Sequence, residues 1–195
     1  NVPGRKTDVS DATWLADLLA HGLVRSSFVP ERPTQELRDL TRTRKQLVRQ
    51  RAQHVNRLHK VLEDANLKIG SYVTDITGVT GRAILAAIIA GETDATKLAS
   101  LRNPRLKTPP DELAKALRGK VTQHHRFLLQ MHLDQIEAAD RSVALLDAQI
   151  EEQTLPLADE VQLLADMPGM SRTSACVVLA EIGADMSRFP SQRHL

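Results

Sequence analysis

Two long stretches in which apolar residues return at helical spacing constrain this chain more than anything else in it. One runs from about Thr34, a residue able to cap, to about Lys68, with Gly70 as its stop; Leu37, Leu40, Leu47, Val48, Val55, Leu58 and Leu62 form its stripe. The other runs from about Thr122 to Gln153, with Leu128, Met131, Leu133, Ile136, Ala139, Val143, Leu146 and Ile150. Stripes this narrow cannot hold such helices alone in water, so they pair with each other or with a second chain. Arg44 and Arg51 interrupt the first seam. Composition agrees with a mainly α fold: the 195 residues are 42% hydrophobic but only 3% aromatic, a Leu/Ala/Arg-rich mixture poor in the residues that dominate strands.

The rest of the chain divides around these two helices. A first helix is expected from Asp11 to Leu23, with Trp14, Leu15, Leu18, Leu19 and Leu23 on one face. Phe28-Val29-Pro30-Glu31-Arg32-Pro33 is an extended connector and a domain boundary. Between the long helices lies a small insert. Gly78–Ala90 is apolar nearly all round and should be buried, and Asp94–Ser100 and Asp111–Leu117 read as short helices separated by proline-marked breaks. After Thr154-Leu155-Pro156 comes Val161–Met167, a Pro168-Gly169-Met170 turn, and a helix from Ser171 to Ile182 stopped by Gly183. That last pairing resembles a helix-hairpin-helix, in which a Pro-Gly turn lets the second helix present its amides to a phosphate. Ser171 stands where the motif usually has a second glycine, and a plain helical hairpin is the alternative.

A net charge of +2 conceals a segregation of sign. From Leu40 to Leu62 there are seven cations, Arg42, Arg44, Lys45, Arg49, Arg51, Arg57 and Lys60, and no acid. From His132 to Asp166 nine acids face a single Arg141. Cations mixed with Gln and Asn suit phosphate contacts, and the near absence of aromatics favours the backbone and shape of a folded duplex over stacking on single strands. The competing reading is a basic face covered by the acidic helix.

Asp8 and Asp11, three residues apart behind Arg5-Lys6, fall on one side of a first helical turn, where both can face a divalent cation or merely offset the helix dipole. His124, His125 and His132 lack partners at zinc spacing and read as surface or interface residues. Cys176, between Ala175 and Val177, reads as a buried small apolar residue; a single cysteine excludes an internal disulfide framework and fits a reducing, cytoplasmic setting. With no eighteen-residue apolar run and no signal-peptide pattern, nothing argues for a membrane or for export.

The order of these pieces resembles the insertion-sequence transposases with a DEDD-type RuvC-like domain, the bridge-RNA-guided serine recombinases. The motifs are Lys6-Thr7-Asp8-x-x-Asp11-Ala12, Leu37-Arg38-Asp39-Leu40, and Leu164-x-x-Met167-Pro168-Gly169 leading to Leu179-Ala180-Glu181-Ile182-Gly183 and Arg188-Phe189. The resemblance implies the end of a RuvC-like α/β domain over residues 1–30. It further implies a helical coiled-coil region over 31–155 with an insert at about 71–120, and the beginning of a helix-hairpin-helix-like transposase domain over 156–195. Asp8 and Asp11 match the last two members of the family's metal-binding acidic tetrad. The first Asp, the Glu and the nucleophilic serine are expected outside these 195 residues, which makes the chain read as a segment without strand-transfer activity of its own. The implied cofactors are a divalent metal, Mg2+, and a structured guide RNA. The implied partners are DNA, that RNA, and further copies of the chain joined through the long helices. Arg38 and the seven cations of the basic helix are the expected nucleic-acid contacts. Two alternatives stand beside this reading: a non-catalytic helical nucleic-acid-binding module, and a charge-segregated coiled-coil interaction protein.

Overall fold

The computed structural model describes residues 7–24, 29–189, 191 and 193; Arg5, Lys6 and Phe28 of the motifs above lie outside them. The chain forms two compact units, residues 1–32 and 33–195. Helices carry the described residues and no strand occurs among them. No helix is long and apolar enough to cross a membrane.

In the first unit, helix α1 spans Asp8–Ala20. It begins three residues earlier than expected because Thr7 takes the capping position, its hydroxyl accepting the Ser10 amide at 3.2 Å. It ends before Leu23 because Gly22 adopts a φ of +65° and the Leu23 amide turns back onto the Leu18 carbonyl, 3.0 Å away. The expected apolar face is present, and Trp14, Leu15 and Leu19 are solvent-exposed within the described residues.

The second unit is organised by α2 (Arg32–Asp64) and α6 (Gln123–Thr154). Pro33 fits the first turn of α2, where its missing amide costs nothing. The helix ends at Asp64 rather than Lys68 because Asn66, at φ 57°, makes the left-handed turn, and the Leu67 amide bonds to the Leu62 carbonyl at 2.8 Å. Gly70 is not the stop; it lies against the His59 ring. Helix α6 starts and stops within a residue of expectation, with Thr122 as its cap.

The two long helices run antiparallel, and side-chain partners show the register. Asp64 meets His125, His54 meets His132, Arg51 meets Asp140 and Arg44 meets Asp147. A separate core closes each end of this pair. At one end Leu58 and Leu62 of α2 and Leu129 and Ile136 of α6 pack on the insert helices α3 (Val79–Ala90), α4 (Ala95–Ser100) and α5 (Pro110–Ala116), through Ile84, Leu85, Ile88, Leu98 and Leu113. At the other end Leu37 of α2 and Ile150 of α6 pack on α7 (Ala158–Ala165) and α8 (Arg172–Ile182), through Val161, Cys176 and Leu179.

Several side chains differ from expectation. Leu129, outside the predicted stripe, is fully buried, while Met131 and Val48, inside the stripes, are partly exposed. His125 and His132, expected at the surface or an interface, are buried between the two long helices. His125 is held there because its Nδ1 accepts the Thr122 amide while its other ring nitrogen meets Asp64, which ties the start of α6 to the end of α2. Cys176 is buried as expected.

Candidate nucleic-acid interface and carboxylate pair

Helix α2 carries all eight expected nucleic-acid contacts, and the fold divides them into two sets. Arg38 lies against the end of α8, its Nε donating to the Ala180 carbonyl at 3.0 Å and its Nη2 to the Glu181 carbonyl at 2.8 Å. These are orphan carbonyls of a helix C-terminus, where a cation is favoured. Arg42 forms a fork onto the Glu181 carboxylate, with contacts of 2.9 and 2.8 Å. The pair holds the Glu181 carboxyl below the usual range, chiefly through the Arg42 hydrogen bond.

Arg44 makes a two-pronged contact with Asp147 of α6. Arg51 reaches Asp140 and also donates to the Thr77 hydroxyl at 3.2 Å. Arg82 of α3 enters the same cluster, its guanidinium donating to Glu137 at 2.8 Å, Asp140 at 3.2 Å and the Thr77 carbonyl at 2.6 Å. Thr77 in turn donates its amide and hydroxyl to Asp75, depressing that carboxyl. Arg38, Arg42, Arg44 and Arg51 are thus committed to protein partners. They join α2 to α6, to α8 and to the turn that precedes α3.

Lys45, Arg49, Arg57 and Lys60 are exposed, and among the described residues none makes a hydrogen bond or an ion pair. At 1.5 Å per residue, Lys45 to Lys60 spans roughly 22 Å of helix. Spacing of four, seven and four residues puts Lys45, Arg49, Asn56 and Lys60 on one side of α2. Arg57 stands apart, close enough to His132 to disfavour its protonation.

Asp8 and Asp11 stand in the first turn of α1, both exposed, with no hydrogen-bond or ion-pair partner among the described residues. Because Thr7 caps the helix, neither carboxylate is spent on an amide. No three residues of metal-binding type come together among the described residues. Two carboxylates completed by phosphate oxygens and water form a donor set that suits magnesium.

A family model described as a transposase, of the IS110 DEDD type, matches residues 1–67, which include Asp8, Asp11 and all of α2. A second, described as a transposase of the IS116/IS110/IS902 family, matches residues 161–195, which include α8. The chain belongs to the IS110-type transposases. The two matches lie on either side of α3 to α6. No curated protein and no solved structure matches the chain.

The α7–α8 connection of the transposase is a hairpin around Gly169, whose φ of +84° needs a glycine. Ser171 caps α8 by accepting the Ser174 amide at 3.1 Å, so the residue that departs from the helix-hairpin-helix pattern satisfies that amide itself. Arg172, the first residue of α8, is exposed and has no hydrogen-bond or ion-pair partner among the described residues. Sequence reasoning missed it because it stands alone, outside any run of cations.

Proposed function

We propose that this stretch of an IS110-type transposase holds nucleic-acid backbone on the outer side of α2, and that the whole protein cuts and rejoins DNA at sites chosen by a structured RNA. One observation carries the reading. The acidic helix α6 is folded against α2, yet Lys45, Arg49, Arg57 and Lys60 are left exposed and without ion-pair partners. Four exposed cations without an ion pair on one helix are a footprint for phosphates. The charge-paired alternative accounts for Arg38, Arg42, Arg44 and Arg51 but not for these four.

Asp8 and Asp11 are proposed to hold the metal, Mg2+. When bound, such a cation would offset phosphate charge and organise the scissile site. The two side chains contribute fixed negative oxygens on one side of a helical turn.

The test is binding of this chain to a structured RNA, with duplex DNA as competitor, across a salt series. Tight, RNA-preferring binding that weakens steeply with salt is expected, and replacing Lys60 by Glu should lower the slope of log K against log salt by about one. Absence of binding at low salt overturns the reading.

A further inference from the structure

The side of unit two where α2, α6 and the α7–α8 hairpin meet contains a groove of about 740 Å³. Its lining combines two kinds of surface. Lys45, Arg49 and Arg172 lie along it, three exposed cations without ion-pair partners, drawn from two helices far apart in sequence. Val48, Met170 and Val177 line it as well, and Val48 and Val177 keep 41% and 38% of their surface exposed. Two acids also reach it. Asp147 is taken up by Arg44, which leaves Glu151 to oppose the cations.

We propose that this groove receives one unpaired nucleotide of the strand that α2 binds; the inference rests on the nucleic-acid reading above and names the chemical form of its ligand. A duplex offers phosphates but hides the faces of its bases, whereas an unpaired nucleotide presents a charged backbone and an apolar ring side by side. Cations beside apolar side chains match that pairing. The volume lies within the roughly 300–1,000 Å³ common for sites that enclose a small organic group. With no aromatic lining residue, the ring is held by van der Waals contact with two valines and the polarisable thioether of Met170 rather than by stacking. Glu151 faces the phosphates unfavourably, which makes its removal a gain.

Two RNA hairpins of equal length test this, one fully paired and one with a single bulged 2-aminopurine, each titrated with the full chain. The bulged hairpin is expected to bind several-fold more tightly, with a change in the probe's fluorescence. Arg172→Glu should abolish that preference, whereas Arg57→Glu should weaken both hairpins alike. Val48→Ser, at an exposed position that tolerates the change, should reduce the preference, and Glu151→Gln should tighten binding of the bulged form. Equal binding of both hairpins, unaltered by Arg172→Glu, overturns the groove proposal while leaving backbone binding on α2 intact. Failure of both hairpins to bind overturns both readings. Polyglutamate displacing the bulged hairpin as well as unlabelled RNA does would assign the groove to an acidic peptide and overturn the proposal.

Discussion

His54 and His132 bring their Nδ1 atoms within 3.2 Å of each other toward the insert end of the long-helix pair. One must donate and the other accept, so at least one ring is neutral. His132 is buried, and burial, then His54, then Arg57 lower its affinity for a proton below the ordinary 6.5. The unfolded chain therefore takes up this proton at a higher pH than the folded chain does, and stability rises with pH across that interval. The contribution is fully present above the ordinary histidine value and is lost as pH falls through it. Denaturant unfolding at a series of pH values should show a steeper loss of stability below about pH 6.5 for the wild type than for His132→Gln. Identical pH profiles would refute this role. Neither partner was legible in the sequence, because the two rings are 78 residues apart and meet only once α2 and α6 are antiparallel. The same holds for the cations of α2. Their number and sign could be read directly, but Arg38 is committed to carbonyls more than 140 residues away, and only the fold separates it from Lys45.

At the scale of elements, boundaries set by a local chemical signal were legible and those set by an unusual backbone were not. Asp94, Thr122 and Ser171 each cap the helix that their sequence position announces, and Gly183 ends α8 at a φ of +75°. The end of α2 was misplaced because Asn66, not a glycine, adopts the left-handed turn. Gly81 lies inside α3 with ordinary helical geometry and gives no such signal, yet it is among the most constrained residues of the fold. A Cβ there would lie 2.0 Å from the Ile76 carbonyl oxygen and 2.5 Å from its carbon, both backbone atoms. The preceding turn cannot yield cheaply, since Thr77 is tied to Asp75, Arg51 and Arg82. Gly81→Ala should therefore cost about 3 kcal/mol or more by overpacking, although alanine is the better helix former. Ala86→Gly, on the exposed side of the same helix, sets the scale at about 1 kcal/mol in the same urea titrations. A Gly81→Ala variant as stable as the wild type would show that the Ile76–Gly81 approach is loose.

At the scale of the second unit, two separate cores at opposite ends of one helix pair predict two levels of local stability. The insert end encloses fully buried Leu58, Leu62, Ile84, Leu85, Ile88, Leu98 and Leu113 within a single cluster. The hairpin end is smaller, built on Leu37, Ile150, Val161, Leu179 and small residues such as Ala175 and Ala180. It is tied to α2 in addition by Arg38 and Arg42, whose partners Ala180 and Glu181 sit at the end of α8. Between the cores the helices meet through ion pairs and imidazoles, which transmit less cooperativity than packed aliphatic side chains because exposed charge pairs contribute little. Opening free energies follow buried apolar contact, so the hairpin should open before the insert does. Native-state hydrogen exchange should find the amides of α8 less protected than those of α3. Leu37→Ala, which leaves a cavity under α7 and α8, should lower protection there by roughly 2–5 kcal/mol. Protection at Ile84, Leu85 and Ile88 should be almost unchanged. Equal losses at both ends would mean that the long helices couple the two cores into a single cooperative unit. In that case the groove beside α8 could not adjust to a ligand without disturbing the whole of unit two. Independent ends would let the hairpin that carries Arg172 move toward a bound strand while the insert stays folded.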